Sequence, residues 1–238
     1  STSSTYVNEN QAACGAGIYA EGAALVALNG ETIVATNYAQ YDGGGAALST
    51  SASLNVSGTA TFTGNRALGG AGASITDASV MSFRGPLVEF SSNVAGLGGG
   101  GVAVVASLMV SQAENTTLTN NTALVGGGGL ASDEATLQVL GDLTVTMNVA
   151  TSHGGGLAVL NGSSVTVSHD AHFLENTATG GKGGGLLVAN QSNVGIENTL
   201  FAESCAAGHS GGGLAASASS TLVAKHGRFL YDSAATNG

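Results

Sequence analysis

A short pattern recurs nine times along the 238 residues of this chain: an apolar residue, Asn three positions later and Ala two positions after that, with the last two copies replacing the Asn. The Asn position returns every 27 or 28 residues, and a cluster of Gly residues that leads into small apolar residues returns in step with it. Two independent motifs with one period indicate a repeat architecture. The recurring polar positions are Asn10, Asn37, Asn65, Asn93, Asn121, Asn148, Asn176, Ser204 and Asp232.

The repeat at residues 154–182 predicts three short strands. A Gly turn precedes an apolar run at 157–160, and an Asn-Gly pair then favours a second turn. Residues 164–168 alternate apolar and polar, which is typical of a half-buried strand, and 171–175 form a third strand before Asn176 turns the chain. No stretch keeps the three-and-four apolar spacing of a helix. The sequence therefore predicts an all-β solenoid, a parallel β-helix of about eight to nine coils of 27–29 residues, with three short strands per coil.

Apolar residues at equivalent places in the second and third strands predict the core. Equivalent residues of successive coils lie above one another in a β-helix. We therefore expect the third strands to contribute an internal stack of Phe62, Phe90, Leu118, Val145, Phe173, Phe201 and Phe229. In the second strand, the pairs expected to point inwards are Val26 and Leu28, Leu54 and Val56, Leu108 and Val110, Leu137 and Val139, and Val194 and Ile196.

The recurring Asn is expected to turn inwards at a corner and to build a buried ladder. An amide group has donors and acceptors, so each Asn can bind backbone groups of its own turn and the Asn above and below. Ser204 would keep a hydroxyl in this ladder, whereas an ionised Asp232 can only accept. The Gly clusters are explained by positive φ or close backbone approach, because no helix or Lys-Ser/Thr pair follows them as in a phosphate-binding loop.

The motif pair resembles a known repeat family. F-x-x-N occurs intact at 62–65, 90–93 and 173–176, and a Gly cluster followed by an apolar residue occurs at 43–46, 98–102, 126–130, 154–157, 183–186 and 211–214. The chain is similar in this respect to the GGA/F-x-x-N repeats of chlamydial polymorphic outer membrane proteins, with a third Gly usually replacing Ala. The resemblance implies a right-handed β-helix, export to the cell surface, and an adhesive or structural role.

Charge and cysteine content narrow the possible partners. The formal net charge is −10 and only five residues are Lys or Arg, which disfavours binding to nucleic acid or to an anionic membrane. The longest clearly apolar run, 23–28, is too short for membrane insertion. Cys14 and Cys205 lie seven coils apart, roughly 30 Å or more at about 4.8 Å per coil, so they cannot pair within one solenoid. Two small buried residues and an intermolecular disulfide both stay open.

Candidate catalytic and metal-binding residues are sparse. Parallel β-helices also occur as polysaccharide lyases and hydrolases, which need clustered acidic residues. Glu175 and Glu203 follow their Phe residues by two positions in adjacent coils, and we interpret them, with His169 and His172, as solvated side chains. Ser74 replaces the ligand Asp in the nearest match to a calcium-binding β-roll motif. We expect no catalytic residue, no metal site and no cofactor.

The predicted exposed surface has two further features that bear on function. Ice binding would need Thr-x-Thr on one face of successive coils, and the segments at 59–61 and 144–146 are not in adjacent coils. Candidate N-glycosylation acceptors, each in an Asn-x-Ser/Thr sequence, are Asn55, Asn115, Asn120, Asn161 and Asn190. Asn161 and Asn190 are expected to stack at an exposed turn.

These observations favour a non-enzymatic, extracellular structural β-solenoid, the shaft of a cell-surface protein or a unit of a surface fibre. The alternatives are an adhesin or autotransporter-type passenger that binds a host or surface ligand, and a carbohydrate-active β-helix enzyme. Residues 1–238 form one repeat domain, which we expect to be an excerpt of a longer array. Neither end resembles a cap, so we expect further repeats or end-to-end self-association.

Overall fold

The computed structural model describes residues 4–235, and in that range the chain forms strands and turns without a helix. A first strand follows each Gly cluster: Ile18–Glu21, Ala46–Ser49, Ala73–Ile75, Val102–Val105, Leu130–Asp133, Leu157–Leu160, Leu186–Val188 and Leu214–Ala216. The second strands are Leu25–Asn29, Ser53–Ser57, Val80–Arg84, Leu108–Ser111, Thr136–Val139 and Ser164–Val167.

The third strands carry the apolar stack. They are Ser4–Asn8, Glu31–Ala35, Ala60–Thr63, Leu87–Ser91, Asn115–Thr119, Asp142–Thr146 and Ala171–Leu174. In the last two coils the second and third strands are continuous, as Asn193–Glu203 and Thr221–Leu230. Because these long strands pair with both neighbours, the second and third strands belong to one 15-stranded sheet.

Each coil also contains a two-residue strand after the recurring polar position, which the sequence reading described only as a turn. These strands are Gln11–Ala12, Tyr38–Ala39, Arg66–Ala67, Val94–Ala95, Thr122–Ala123, Val149–Ala150, Thr177–Ala178, Ala206–Ala207 and Ser233–Ala234. Their Ala residues are buried in all the inner coils, and four of them cluster with Ala16 and Ala71 of the Gly-rich turns, which accounts for the small apolar residue of the repeated pattern.

Successive coils pair in parallel and in register. Phe62 pairs with Phe90, and Phe90 pairs with Leu118 in the following coil. The first strands form an 8-stranded sheet and the two-residue strands a 9-stranded sheet. The chain is therefore a parallel β-helix of about eight coils, and the predicted all-β fold with three main strands per coil is confirmed.

One apolar core fills the interior along the solenoid. The rings of Phe62 and Phe90 stack with centroids 4.9 Å apart, and Phe83, from a second strand, meets them edge-on at 6.2 and 5.9 Å. Offset stacking and edge-to-face contacts are the favourable geometries for aromatic pairs. The predicted stack is present from Phe62 to Phe173, since Leu118 pairs with Val145 and Val145 with Phe173.

The prediction for Phe201 was wrong. Ala202, not Phe201, pairs with Phe173, because this coil is offset by 29 residues from the preceding one along its whole length. The extra residue enters before the first strand of the coil, since Ala150 still pairs with Ala178 but Leu157 pairs with Leu186. Phe201 instead lies beside His172, with ring centroids 5.8 Å apart. Phe229 pairs with Ala202 and so returns to the stack position, where it is 46% exposed in the last coil.

The expected inward pair Leu108 and Val110 was also wrong. Met109 and Ser111 point inwards there, since Met109 pairs with Met81 in the preceding coil. The buried Ser111 is accommodated because its hydroxyl lies 2.7 Å from Thr116 Oγ1, and both hydroxyls thereby find a partner.

Candidate functional site

The recurring Asn residues form a buried ladder in which the amide groups are linked from coil to coil. Asn93 donates to Asn121 Oδ1 from both its backbone N and its Nδ2, each at 3.0 Å. Asn121 Nδ2 in turn donates to Phe90 O at 2.9 Å and to Asn148 Oδ1 at 3.0 Å. Both lone pairs of the oxygen and both hydrogens of the nitrogen are used, so the buried amide carries no desolvation penalty for an unpaired group.

The same bonds repeat along the solenoid. They begin at the exposed Asn10, which donates to Asn37 Oδ1 from N and Nδ2 at 3.0 and 2.9 Å. The ladder then continues through side chains that are at most 1% exposed: Asn37, Asn65, Asn93, Asn121, Asn148 and Asn176. In each of these bonds between Asn residues, the donor lies one coil before the acceptor, so the ladder has a direction.

Cys205, not Ser204, occupies the next place in the ladder. Cys205 Sγ donates to Phe173 O at 3.4 Å, and Asn176 Nδ2 lies 3.9 Å from that sulfur. Ser204 precedes it at φ 53°, exposed on the outside of the turn. The same extra residue that moves Phe201 explains this correction, because 29 residues separate Cys205 from Asn176. Burial is the main cause that raises the pKa of the Cys205 thiol to about 11.

Asp232 accepts from the Cys205 backbone N at 2.9 Å through Oδ1. Its second oxygen, Oδ2, is buried without a hydrogen-bond partner. Burial is the largest cause that raises the pKa of Asp232, and the charge of Glu203 adds to it, while the bonds from Cys205 oppose it. The carboxylate oxygen Oδ2 of Asp232 therefore replaces the donating Nδ2 group of the Asn residues in the other coils.

A second buried polar column, which the sequence reading missed, lies at the turn between the first and second strands. Ser79 N donates to Ser107 Oγ at 3.2 Å, and Ser192 N donates to Ser220 Oγ at the same distance. Ser192 Oγ also donates to Ala189 O at 2.7 Å, closing its own turn. The available signal was Ser recurring after this turn at 79, 107, 163, 192 and 220.

The candidate acidic and His residues do not converge. Glu203 pairs with Leu174 rather than with Glu175, so the two carboxylates are not equivalent in adjacent coils. His169 Nδ1 lies 3.8 Å from Asp142 Oδ1, and its side chain is 64% exposed. Within residues 4–235, no group of three or more His, Cys, Asp and Glu side chains could hold a metal ion.

The outward face of the third strands displays hydroxyl groups. The Thr-x-Thr segment at 117–119 pairs in register with the one at 144–146, so the premise that no such segments are adjacent was wrong. One coil before them, the same positions hold Glu89 and Ser91, and the Glu89 carboxylate interrupts the array.

The outward face of the second strands holds a polar cavity of about 260 Å³ in the first three coils. Two hydrogen bonds between neighbouring coils organise it. Ser57 Oγ donates to Asn29 Oδ1 at 2.7 Å, and Ser82 Oγ donates to Asn55 Oδ1 at 2.5 Å. Arg84 completes its polar lining.

The candidate glycosylation acceptors Asn55, Asn115, Asn120, Asn161 and Asn190 are all exposed. Asn190 Nδ2 donates to Asn161 Oδ1 at 2.8 Å, and Asn161 Nδ2 donates to Asp133 Oδ1 at 2.8 Å, so these two acceptors are stacked at one turn. Cys14 and Cys205 are both free thiols.

Comparison of the chain with protein-family models, with curated proteins and with solved structures found no match. In the described part of the chain, no helix is long and apolar enough to cross a membrane.

Proposed function

We propose that this chain is a non-enzymatic, extracellular structural β-solenoid, the shaft of a cell-surface protein or a unit of a surface fibre. The observation that carries the proposal is the directional Asn ladder, which runs with the apolar core through successive coils. Stacked at about 4.8 Å, eight coils extend for roughly 40 Å, and such a rod holds what is attached to it at a fixed distance.

Composition supports a location outside the cell. Charged residues make up only 8% of the chain, and Ser, Thr, Asn and Gly supply the polar surface instead. The resemblance to polymorphic outer membrane protein repeats favours export, and the five exposed sequons are suitable acceptors if the host attaches N-linked glycans.

Self-association or continuation into further repeats is part of the proposal. In the last described coil Phe229, at the stack position, is exposed, and in the first the inward Val7 is only partly buried. In the inner coils, the equivalent of Phe229 is buried, as Phe90 and Phe173 are. A further coil, from the same chain or from a second copy, would cover these side chains and pair the open strand edge.

A ligand-binding passenger is the second candidate. The polar cavity at Asn29, Asn55 and Arg84 favours it, since a pure spacer needs no concave group of donors. The two functions are compatible, because a rod can present a binding face along its side.

The test of location is labelling of intact cells with an antibody against residues 4–235. We expect labelling without permeabilisation and its loss after mild protease treatment of the cell surface. Labelling that appears only after permeabilisation would refute the extracellular role.

The test of activity is incubation of the purified protein with polysaccharides, which it should leave uncleaved with or without calcium. Cleavage that is abolished by Glu175→Gln or Glu203→Gln would overturn the non-enzymatic assignment.

A further inference from the structure

The cavity on the second strands has the composition of a binding site for an anionic group. Its lining consists of Ala27, Asn29, Asn55, Val56, Ser57, Ser82 and Arg84, with no Asp, Glu or His. A chain of net charge −10 thus places one of its five basic side chains in a concave surface that contains no acid. No carboxylate oxygen of the described residues lies within 4.0 Å of the Arg84 guanidinium, since the one pair at that distance is His169 with Asp142.

The hydrogen bonds around the cavity favour donors over acceptors. The Ser82 hydroxyl donates to Asn55 Oδ1, and the Nδ2 group of this exposed side chain supplies a donor. The Ser57 hydroxyl donates to Asn29 Oδ1 in the coil before. Arg84 adds a planar fork of N–H groups that matches a carboxylate or sulfate. Three neighbouring coils hold the groups that line the cavity on a rigid sheet. Few side chains therefore need to be ordered when a ligand binds.

We propose that this cavity binds an oligosaccharide that carries one acidic group, with Arg84 binding the acid and the Asn55 side chain binding a sugar hydroxyl. One guanidinium matches one negative charge, whereas a polyanion would be repelled by the acidic surface elsewhere. The volume is close to the lower limit of about 300 Å³ typical of ligand pockets, so we expect one or two sugar units to be held. The assignment deepens the ligand-binding candidate, but it does not depend on the location of the protein, because binding is measured on the purified chain.

The experiment is an NMR titration of the purified, unglycosylated chain, because a glycan on Asn55 would fill the cavity. The probes are three trisaccharides of the same backbone, one with a terminal carboxylate, one with a sulfate ester and one neutral. We expect saturable shifts of the Asn55, Ser82 and Arg84 amide signals with the acidic sugars. Binding of the neutral sugar should be weaker by about tenfold or more. Whichever acidic sugar binds more tightly identifies the acid.

Two variants make the test specific. Arg84→Gln should lower the affinity for the acidic sugars about tenfold. The NMR spectrum of this variant should otherwise remain that of the folded protein. Arg66→Gln is the matched control, because Arg66 is an exposed Arg in a two-residue strand outside the cavity lining. The affinity of the Arg66→Gln variant for the acidic sugars should equal that of the unchanged chain. No saturable shift with any sugar up to about 10 mM, equal binding of the neutral sugar, or equal losses in the two variants would overturn the proposal.

Discussion

At the scale of single residues, the ladder depends on the amide having both a donor and an acceptor end. Asn121 accepts two bonds from Asn93 and donates two to Asn148. Cys205 keeps only part of this: its thiol reaches Phe173 O, but the sulfur is a weak acceptor for Asn176. Asp232 accepts from Cys205 yet has nothing to donate when it is ionised. The last two rungs are therefore weaker than the six buried Asn rungs.

Replacing Asp232 with Asn should strengthen this end in a pH-dependent way. Burial raises the folded-state pKa of Asp232 above its ordinary value of 3.8, so the folded chain holds the proton more tightly than the unfolded chain. The stability of the unchanged protein should then fall as the pH rises through that range. We expect Asp232→Asn to be more stable by about 1 kcal/mol at neutral pH, with a smaller difference below pH 3.8.

Urea unfolding of both proteins across this pH range measures the difference. Asp142→Asn serves as the control, since Asp142 is partly exposed at the opposite end of the third strand and its carboxylate has partners in Asp170 N and His169. A stability gap for Asp232→Asn that does not change with pH would show that the titration of this carboxyl group is not the cause.

At the scale of strands and turns, backbone approach between coils fixes the Gly positions. A Cβ built at Gly101 would lie 2.5 Å from Gly129 O, 3.1 Å from Leu118 Cδ2 and 3.2 Å from Asn121 Nδ2. The backbone at Gly101 therefore contacts the next coil, the apolar stack and the Asn ladder. Gly195, in contrast, has nothing within 4 Å of its Cβ position, because its strand faces open space there.

These two Gly residues give a matched pair of substitutions. Gly101→Ala should lower the free energy of unfolding by about 2 kcal/mol or more, because three close contacts must shift. Gly195→Ala should be neutral or should stabilise by up to about 1 kcal/mol, since Ala restricts the unfolded chain and fits the extended strand. Thermal and urea unfolding of both variants checks this. Equal effects would mean that composition, and not coil-to-coil approach, explains the Gly clusters.

Much of the fold was predictable because the repeat averages out local ambiguity. Nine copies in register identified the stack and the six buried Asn residues, although no single copy is distinctive. The errors arose where one coil departs from the period. An extra residue between Ala178 and Leu186 moves Cys205 into the ladder, and F-x-x-S at 201–204 conceals the change. The cavity at Arg84 was not predictable, since its side chains come from three coils and share no motif.

At the scale of the whole molecule, each coil contacts only its neighbours, so stability is transmitted along one dimension. The apolar core contributes burial in every coil, but a core alone would tolerate slippage between coils. The Asn ladder adds a directional polar contact at one fixed place per coil, and the Ser column adds another at a different corner. A rod that is to carry a load or present a surface requires this register.

The most direct measurement compares Asn121→Ala with Asn115→Ala by urea unfolding. Asn121 is buried in the middle of the ladder, and its loss leaves the two Asn93 donors without their shared acceptor and removes one bond to Phe90 O. We expect a loss of about 1–3 kcal/mol. Asn115 is an exposed strand residue a few positions earlier, so its replacement should change stability by about 0.5 kcal/mol or less. If both variants lose the same small amount, the ladder does not hold the coils together and the account of this solenoid as a ladder-braced rod is contradicted.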